Sequence, residues 1–164
     1  MKSISLYVLF FSVILFVHST VEMKAQNGFK IELISTRLVN EVIGAFGDKW
    51  QTTDSTKFRG LIIKTRITRT PNMDTLQTAH LIFNCKIRKE KTQAVCYGSA
   101  RMGSEKDDGY WMFNRVDKNK YYDIPPPPKE DLEYISFLFP IPAGVQNGSL
   151  TYHKRVLMQK VKIK

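Results

Sequence analysis

Apolar and polar side chains alternate with period two along most of this chain, and that alternation limits what it can fold into. In residues 59–70, Leu61, Ile63, Thr65 and Ile67 fall on one side, while Ile62, Lys64, Arg66 and Thr68 fall on the other. Successive side chains of a strand point to opposite faces, so this is the pattern of a half-buried β-strand. Leu81, Phe83, Cys85 and Ile87 alternate in the same way against Asn84, Lys86 and Arg88. Phe29, Ile31 and Leu33 alternate with Lys30 and Glu32, and the apolar phase then shifts to Ile34 and Leu38. A one-residue shift moves side chains to the other face, which predicts a bulge or a change of sheet near Ser35. Residues 110–116 read as an aromatic strand, and residues 44–56 as a loop with Trp50 tucked against the core.

Residues 131–164 close the pattern. Ile135, Phe137 and Phe139 share one face of a core strand, and Pro140 and Pro142 predict its exit from the ladder, because proline has no N–H to donate. A loop bearing Gly144, Asn147 and Gly148 follows, and Leu150, Tyr152, Val161 and Ile163 bring the chain back to the sheet. Pro71-Asn72 is a turn, and residues 125–128 are a stiff polyproline stretch that cannot join a central strand. No long segment repeats at 3.6 residues. At least six short strands separated by turn signals predict an all-β protein, a sandwich or a barrel, and of the two we expect an antiparallel sandwich of about seven strands.

The first 25 residues have a different character. After Met1-Lys2, residues 4–17 are uncharged and almost wholly apolar. As a helix they would rise about 21 Å, short of a hydrocarbon core of about 30 Å, so they resemble the apolar region of a secretory signal. Val17 and Ser19 fit a cut after Ser19, whereas a cut after Ala25 puts Gln26 first; we expect the latter. The reading is a signal peptide over 1–25, a single domain over 26–164 and no transmembrane segment in the mature chain. Cys85 is the first cysteine, so no lipid-modified N-terminal cysteine is expected. The chain is expected to be exported, to the periplasm or beyond.

Charge then narrows the partners. The formal charge is +10 and the pI near 9.6, and losing Lys2, Glu22 and Lys24 leaves the mature chain strongly basic. In an exported protein this favours acidic glycans, acidic proteins or anionic surfaces over nucleic acid. Lys64, Arg66, Lys86 and Arg88 fall on solvent-side positions of two strands and, if those strands are neighbours, form one anion-binding face. The alternative is that these cations block edge pairing. Tyr110, Trp111, Tyr121 and Tyr122, beside the prolines, are a candidate aromatic platform. Folding residues 81–100 as a hairpin centred between Glu90 and Lys91 sets Cys85 opposite Cys96, and Phe83 opposite Gly98. An exported location permits a disulfide between the two cysteines, against two buried free thiols.

Catalytic and cofactor signals are sparse. His80 and His153, the two histidines of the mature chain, lie in no G-x-S-x-G or H-E-x-x-H motif and are expected at strand edges. Two cysteines and two scattered histidines lack the paired spacing of a zinc site, and Asp107-Asp108 lacks the ligand series of a calcium loop. No cofactor, metal or catalytic residue is expected. Asn147-Gly148-Ser149 matches a glycosylation acceptor and is equally a turn signal.

The opening strand FKIELIS, the long strand FRGLIIKTRIT and the late strand ISFLFPIP together resemble small secreted bacterial immunoglobulin-like β-sandwich domains of unknown function. Many of those carry an asparagine just after the second strand; Arg69-Thr70-Pro71-Asn72 stands there in this chain. The resemblance implies an antiparallel immunoglobulin-like sandwich and a non-enzymatic binding or accessory role, and it carries over no catalytic residues. A structural or envelope-associated subunit is the alternative, followed by a small secreted enzyme or enzyme inhibitor.

Overall fold

The computed structural model describes residues 23–24, 30–69, 73–115, 118–127 and 131–163. Apart from Met23–Lys24, the expected signal segment lies outside them, as does the Pro71-Asn72 turn. The strands are β1 (Met23–Lys24), β2 (Lys30–Val39), β3 (Glu41–Ile43), β4 (Lys49–Gln51), β5 (Phe58–Arg69), β6 (Leu81–Ile87), β7 (Glu90–Val95), β8 (Gly98–Met102), β9 (Tyr110–Phe113), β10 (Asp131–Pro142), β11 (Asn147–Tyr152) and β12 (Arg155–Lys162). A short 3-10 turn, Thr78–His80, leads into β6. One sheet has the order β1-β2-β5-β10-β8-β9, the other β12-β11-β6-β7, and β3–β4 is a separate hairpin. Strand neighbours within the sheets are antiparallel.

The alternation in β5 sets the core. Leu61, Ile63 and Ile67 pack with Ile135, Phe137 and Phe139 of β10 against Leu81, Phe83, Leu150 and Val161 of the four-stranded sheet. Burial of each such side chain contributes about 1.5–3 kcal/mol. A register shift between Leu33 and Ser35 in the β2–β5 pairing is the expected bulge. The outer side of β5 is not all solvent-facing. Val42 and Trp50 of the β3–β4 hairpin cover Ile62, Leu138, Ala100, Trp111 and Phe113, forming a second apolar cluster on that face. The stretch expected to be a loop therefore contains a strand, β4. Gly60 admits its tryptophan, since a Cβ there would lie 2.6 Å from the Trp50 ring.

Two further expectations fail. Proline does not end β10, which runs on to Pro142 with Pro140 paired to Gly60 and Pro142 to Phe58. The Leu138 carbonyl accepts from Tyr97 N on the β8 side. Two residues on, the Pro140 nitrogen faces that same side, where the β8 pairing has already ended at Gly98. The missing N–H therefore costs the β5 ladder nothing.

The cysteine hairpin is also different. β6 and β7 turn at Arg88-Lys89, so Cys85 faces Thr92 and Phe83 faces Ala94. Polar Glu90 and Lys91 are not the turn; they begin an edge strand, where water solvates them. Cys96 lies beyond β7, its N–H bonded to the Leu81 carbonyl, and the chain then crosses to the other sheet as β8. Both cysteines are free and buried. The Cys96 thiol donates to the Gly98 carbonyl at 3.2 Å, and burial pushes its pKa up to about 12. A buried protonated thiol is a poor nucleophile. We expect a non-reducing intact mass with two free thiols, and alkylation of both only after denaturation; a mass two hydrogens lighter contradicts this register.

Candidate functional site

The outer face of the four-stranded sheet carries the most developed constellation of polar groups. β6 lies between β7 and β11, and its even-numbered residues Ile82, Asn84 and Lys86 alternate against the buried Leu81, Phe83 and Cys85. Gln93 and Lys91 stand opposite Asn84 and Lys86 on β7. Ser149 stands opposite Asn84 on β11, and Asn147 is next in line beside Lys86.

Hydrogen bonds fix the orientation of these groups. Gln93 Nε2 donates to Asn84 Oδ1 at 2.8 Å, and Asn84 Nδ2 donates to Thr151 Oγ1 at 3.0 Å. Thr151 Oγ1 in turn donates to the Ile82 carbonyl at 3.2 Å. The chain of donors crosses all three strands, so the amides are held in place and Gln93 Oε1 is left as an acceptor. Above them lies an open trough of about 690 Å³, lined by Asn84, Lys86, Lys91, Gln93, Asn147 and Ser149 together with Cys85, Thr92 and Gly148. That volume lies in the range of about 300–1,000 Å³ typical of ligand sites.

Lys86 and Lys91 are directly paired across the ladder. Like charges in that relation are unfavourable; at about 6 Å in water the repulsion is about 0.7 kcal/mol. Among the described residues neither takes part in an ion pair. Arg88, with φ of 55°, and Lys89 form the turn at that end, and both are exposed. An anion seated between the lysines would turn this repulsion into attraction.

The other predicted site residues fall elsewhere. Lys64 and Arg66 belong to β5, in the other sheet, so they lie on the opposite outer face of the sandwich from Lys86. The four cations do not share a surface, because β5 and β6 are connected between sheets and are not neighbours. Arg66 Nε donates to Glu32 Oε2 at 2.6 Å, and that carboxylate raises the Arg66 pKa. Lys64 Nζ donates to the Asp107 carbonyl at 2.8 Å. Lys64 and Trp111, one from each predicted set, meet in a smaller hollow of about 180 Å³. Its rim cation Arg37 is already paired with Asp108 at 3.5 Å.

No aromatic platform forms. Trp111 is buried in the second cluster, while Tyr110, its neighbour on β9, is 81% exposed on the other side of the strand. Tyr121 and Tyr122 belong to a loop held by buried Asn114, whose Oδ1 accepts from Tyr122 N and whose Nδ2 donates to the Cys96 carbonyl, both at 2.8 Å. Asn84, Lys91 and Gln93 were not singled out as site residues by sequence reasoning, and Asn147 and Ser149 only as a turn and glycosylation signal. A two-residue turn at Arg88-Lys89 is the signal that finds them, because it places Lys91 opposite Lys86. Among the described residues no three His, Cys, Asp or Glu side chains converge as a metal site, and no helix is long and apolar enough to cross a membrane.

By sequence the chain matches no known protein family and no curated protein. In fold it is similar to an uncharacterized β-sandwich protein from Clostridium difficile 630, with a TM-score of 0.50 and 10% identity over 86% of this chain and 89% of that one. The likeness is one of fold alone, and it places this chain among the β-sandwiches.

Proposed function

We propose that this protein is an exported, immunoglobulin-like binding domain whose outer four-stranded face takes an acidic glycan. The observation that carries the reading is the paired, uncompensated Lys86 and Lys91 at one end of a trough of preoriented amides and hydroxyls. Lysines supply attraction for carboxylate or sulfate groups, and the Asn, Gln and Ser side chains offer donors and acceptors to sugar hydroxyls. An acidic peptide would use the lysines but has little need of the amide row.

Strand order supports the immunoglobulin-like part of the reading. Taking β2, β5, β6, β8, β10, β11 and β12 as strands A to G, the two sheets contain A-B-E-D and G-F-C. β7 extends the second sheet beside C, and β9 extends the first beside D. The apolar stretch at residues 4–17 supports export.

The test is binding of a labelled chondroitin sulfate oligosaccharide at low and raised salt, beside polyglutamate and anionic vesicles. Losing two charged contacts of about 1.5 kcal/mol each predicts a fall of about a hundredfold for Lys86→Glu/Lys91→Glu. Arg37→Glu/Lys64→Glu changes net charge equally on the opposite face and should weaken binding far less. Asn84→Ala and Gln93→Ala should weaken the glycan and leave polyglutamate unaffected. Equal losses from both charge-reversed pairs, or preference for polyglutamate or vesicles, overturn the proposal.

A further inference from the structure

At the far end of the same sheet face, the β6–β11 register that pairs Leu81 with Tyr152 brings the next two residues, His80 and His153, side by side. Their rings stack with centroids 4.0 Å apart and planes 29° apart. Both residues are exposed. We propose that His80 and His153 form a cross-strand chelate for a borderline divalent transition-metal ion, with copper(II) held most tightly.

The strand end that carries His153 is packed from behind. The Tyr152 ring meets the His153 ring edge-on at 4.4 Å, and Tyr152 is itself buried, its hydroxyl accepting from Gln77 N at 3.2 Å. The β11–β12 turn is His153-Lys154, with φ of 47° and 65°. Two-residue turns of this kind favour Asn-Gly because both central residues need positive φ. Here two side-chain-bearing residues adopt it without a glycine, and the turn fixes His153 opposite His80. Backbone strain of this kind is a recognised mark of functional positions.

Coordination chemistry sets the ion class. A metal bound at about 2.0–2.1 Å by two cis imidazole nitrogens needs them about 2.9 Å apart. In the stack, with centroids 4.0 Å and planes 29° apart, the in-plane nitrogen lone pairs run side by side, so metal binding requires both exposed rings to turn about their side-chain torsions until one nitrogen of each converges on the ion. Imidazole suits copper, nickel and zinc, whereas magnesium and calcium require oxygen ligands. For a given nitrogen site, copper(II) binds most tightly of the divalent first-row ions. With two protein ligands, water fills the other positions, so the ion is exchangeable and open to a further ligand. Six residues of β-strand, about 20 Å, separate His80 from Lys86, so this site is distinct from the lysine pair.

Titration calorimetry with Cu2+, Zn2+ and Mg2+ in a non-coordinating buffer near neutral pH tests the proposal, with electron paramagnetic resonance of the copper form. One Cu2+ per chain should bind, more tightly than Zn2+, with no Mg2+ heat and a spectrum of two imidazole nitrogens. His80→Ala and His153→Ala should each weaken copper binding at least roughly tenfold, as expected when a linked second ligand is lost. Circular dichroism and the metal-free thermal midpoint check that each variant folds. Copper should raise that midpoint in the parent protein and not in the double variant. Unchanged affinity in either single variant, or a copper spectrum lacking imidazole nitrogen, overturns the proposal.

Discussion

A chain truncated after Gly148 should not fold cooperatively. The cut removes most of β11 and all of β12, and with them the partner that joins β6 to the rest of its sheet. It also removes Leu150, Tyr152, Leu157, Met158 and Val161, all buried in the main core. At about 1.5–3 kcal/mol for each buried side chain, the loss is comparable to the whole stability of a domain, about 5–15 kcal/mol. The exposed faces of Phe83, Phe137 and Phe139 would then meet water. We expect no sigmoidal denaturant transition and strong binding of a hydrophobic dye. A truncated chain that stays soluble and melts cooperatively would show that the closing strands are dispensable.

Replacing Glu133 with alanine should be the most costly of the single polar substitutions. Arg69 is 2% exposed, and its guanidinium donates to Glu133 Oε2 at 3.1 Å and to the Ile124 and Asp74 carbonyls at 3.0 and 3.5 Å. Glu133 is also bound by Arg101. Without the carboxylate, Arg69 keeps only carbonyl dipoles around a buried charge, and removing one partner of such a pair costs about 3–5 kcal/mol. Arg101 is half-exposed, so Arg101→Ala leaves the Arg69–Glu133 pair intact and should cost about 0–1 kcal/mol. Urea denaturation of both variants checks the contrast. Similar losses would mean that Glu133 is no more than a surface anchor.

The parts of the fold legible in the sequence are those governed by side-chain period. Leu61, Ile63 and Ile67 face the core because alternation is local and burial rewards it, and the bulge near Ser35 followed from a phase shift within one strand. What was not legible depends on partners distant in sequence. Pro140 continues β10 because β8 has stopped pairing on that side, which no local pattern reveals. Ile62 is buried on the outer face because a hairpin from residues 41–51 folds over it. The β6–β7 register was misread because Glu90 and Lys91 are polar for an edge strand's reason, not a turn's. That single error hid the candidate site, since it separated Lys86 from Lys91 and placed Cys85 opposite Cys96. Grouping Lys64 and Arg66 with Lys86 and Arg88 assumed that consecutive strands share a sheet, whereas β5 and β6 cross between sheets.

The most direct test of the binding account is a residue-level map of amide chemical shifts on adding the chondroitin sulfate oligosaccharide. Shifts should concentrate on Asn84, Lys86, Lys91, Gln93, Asn147 and Ser149, follow one saturable curve and collapse in Lys86→Glu/Lys91→Glu. Shifts centred on Arg37, Lys64 and Trp111, or spread evenly over all exposed lysines and arginines, would contradict it.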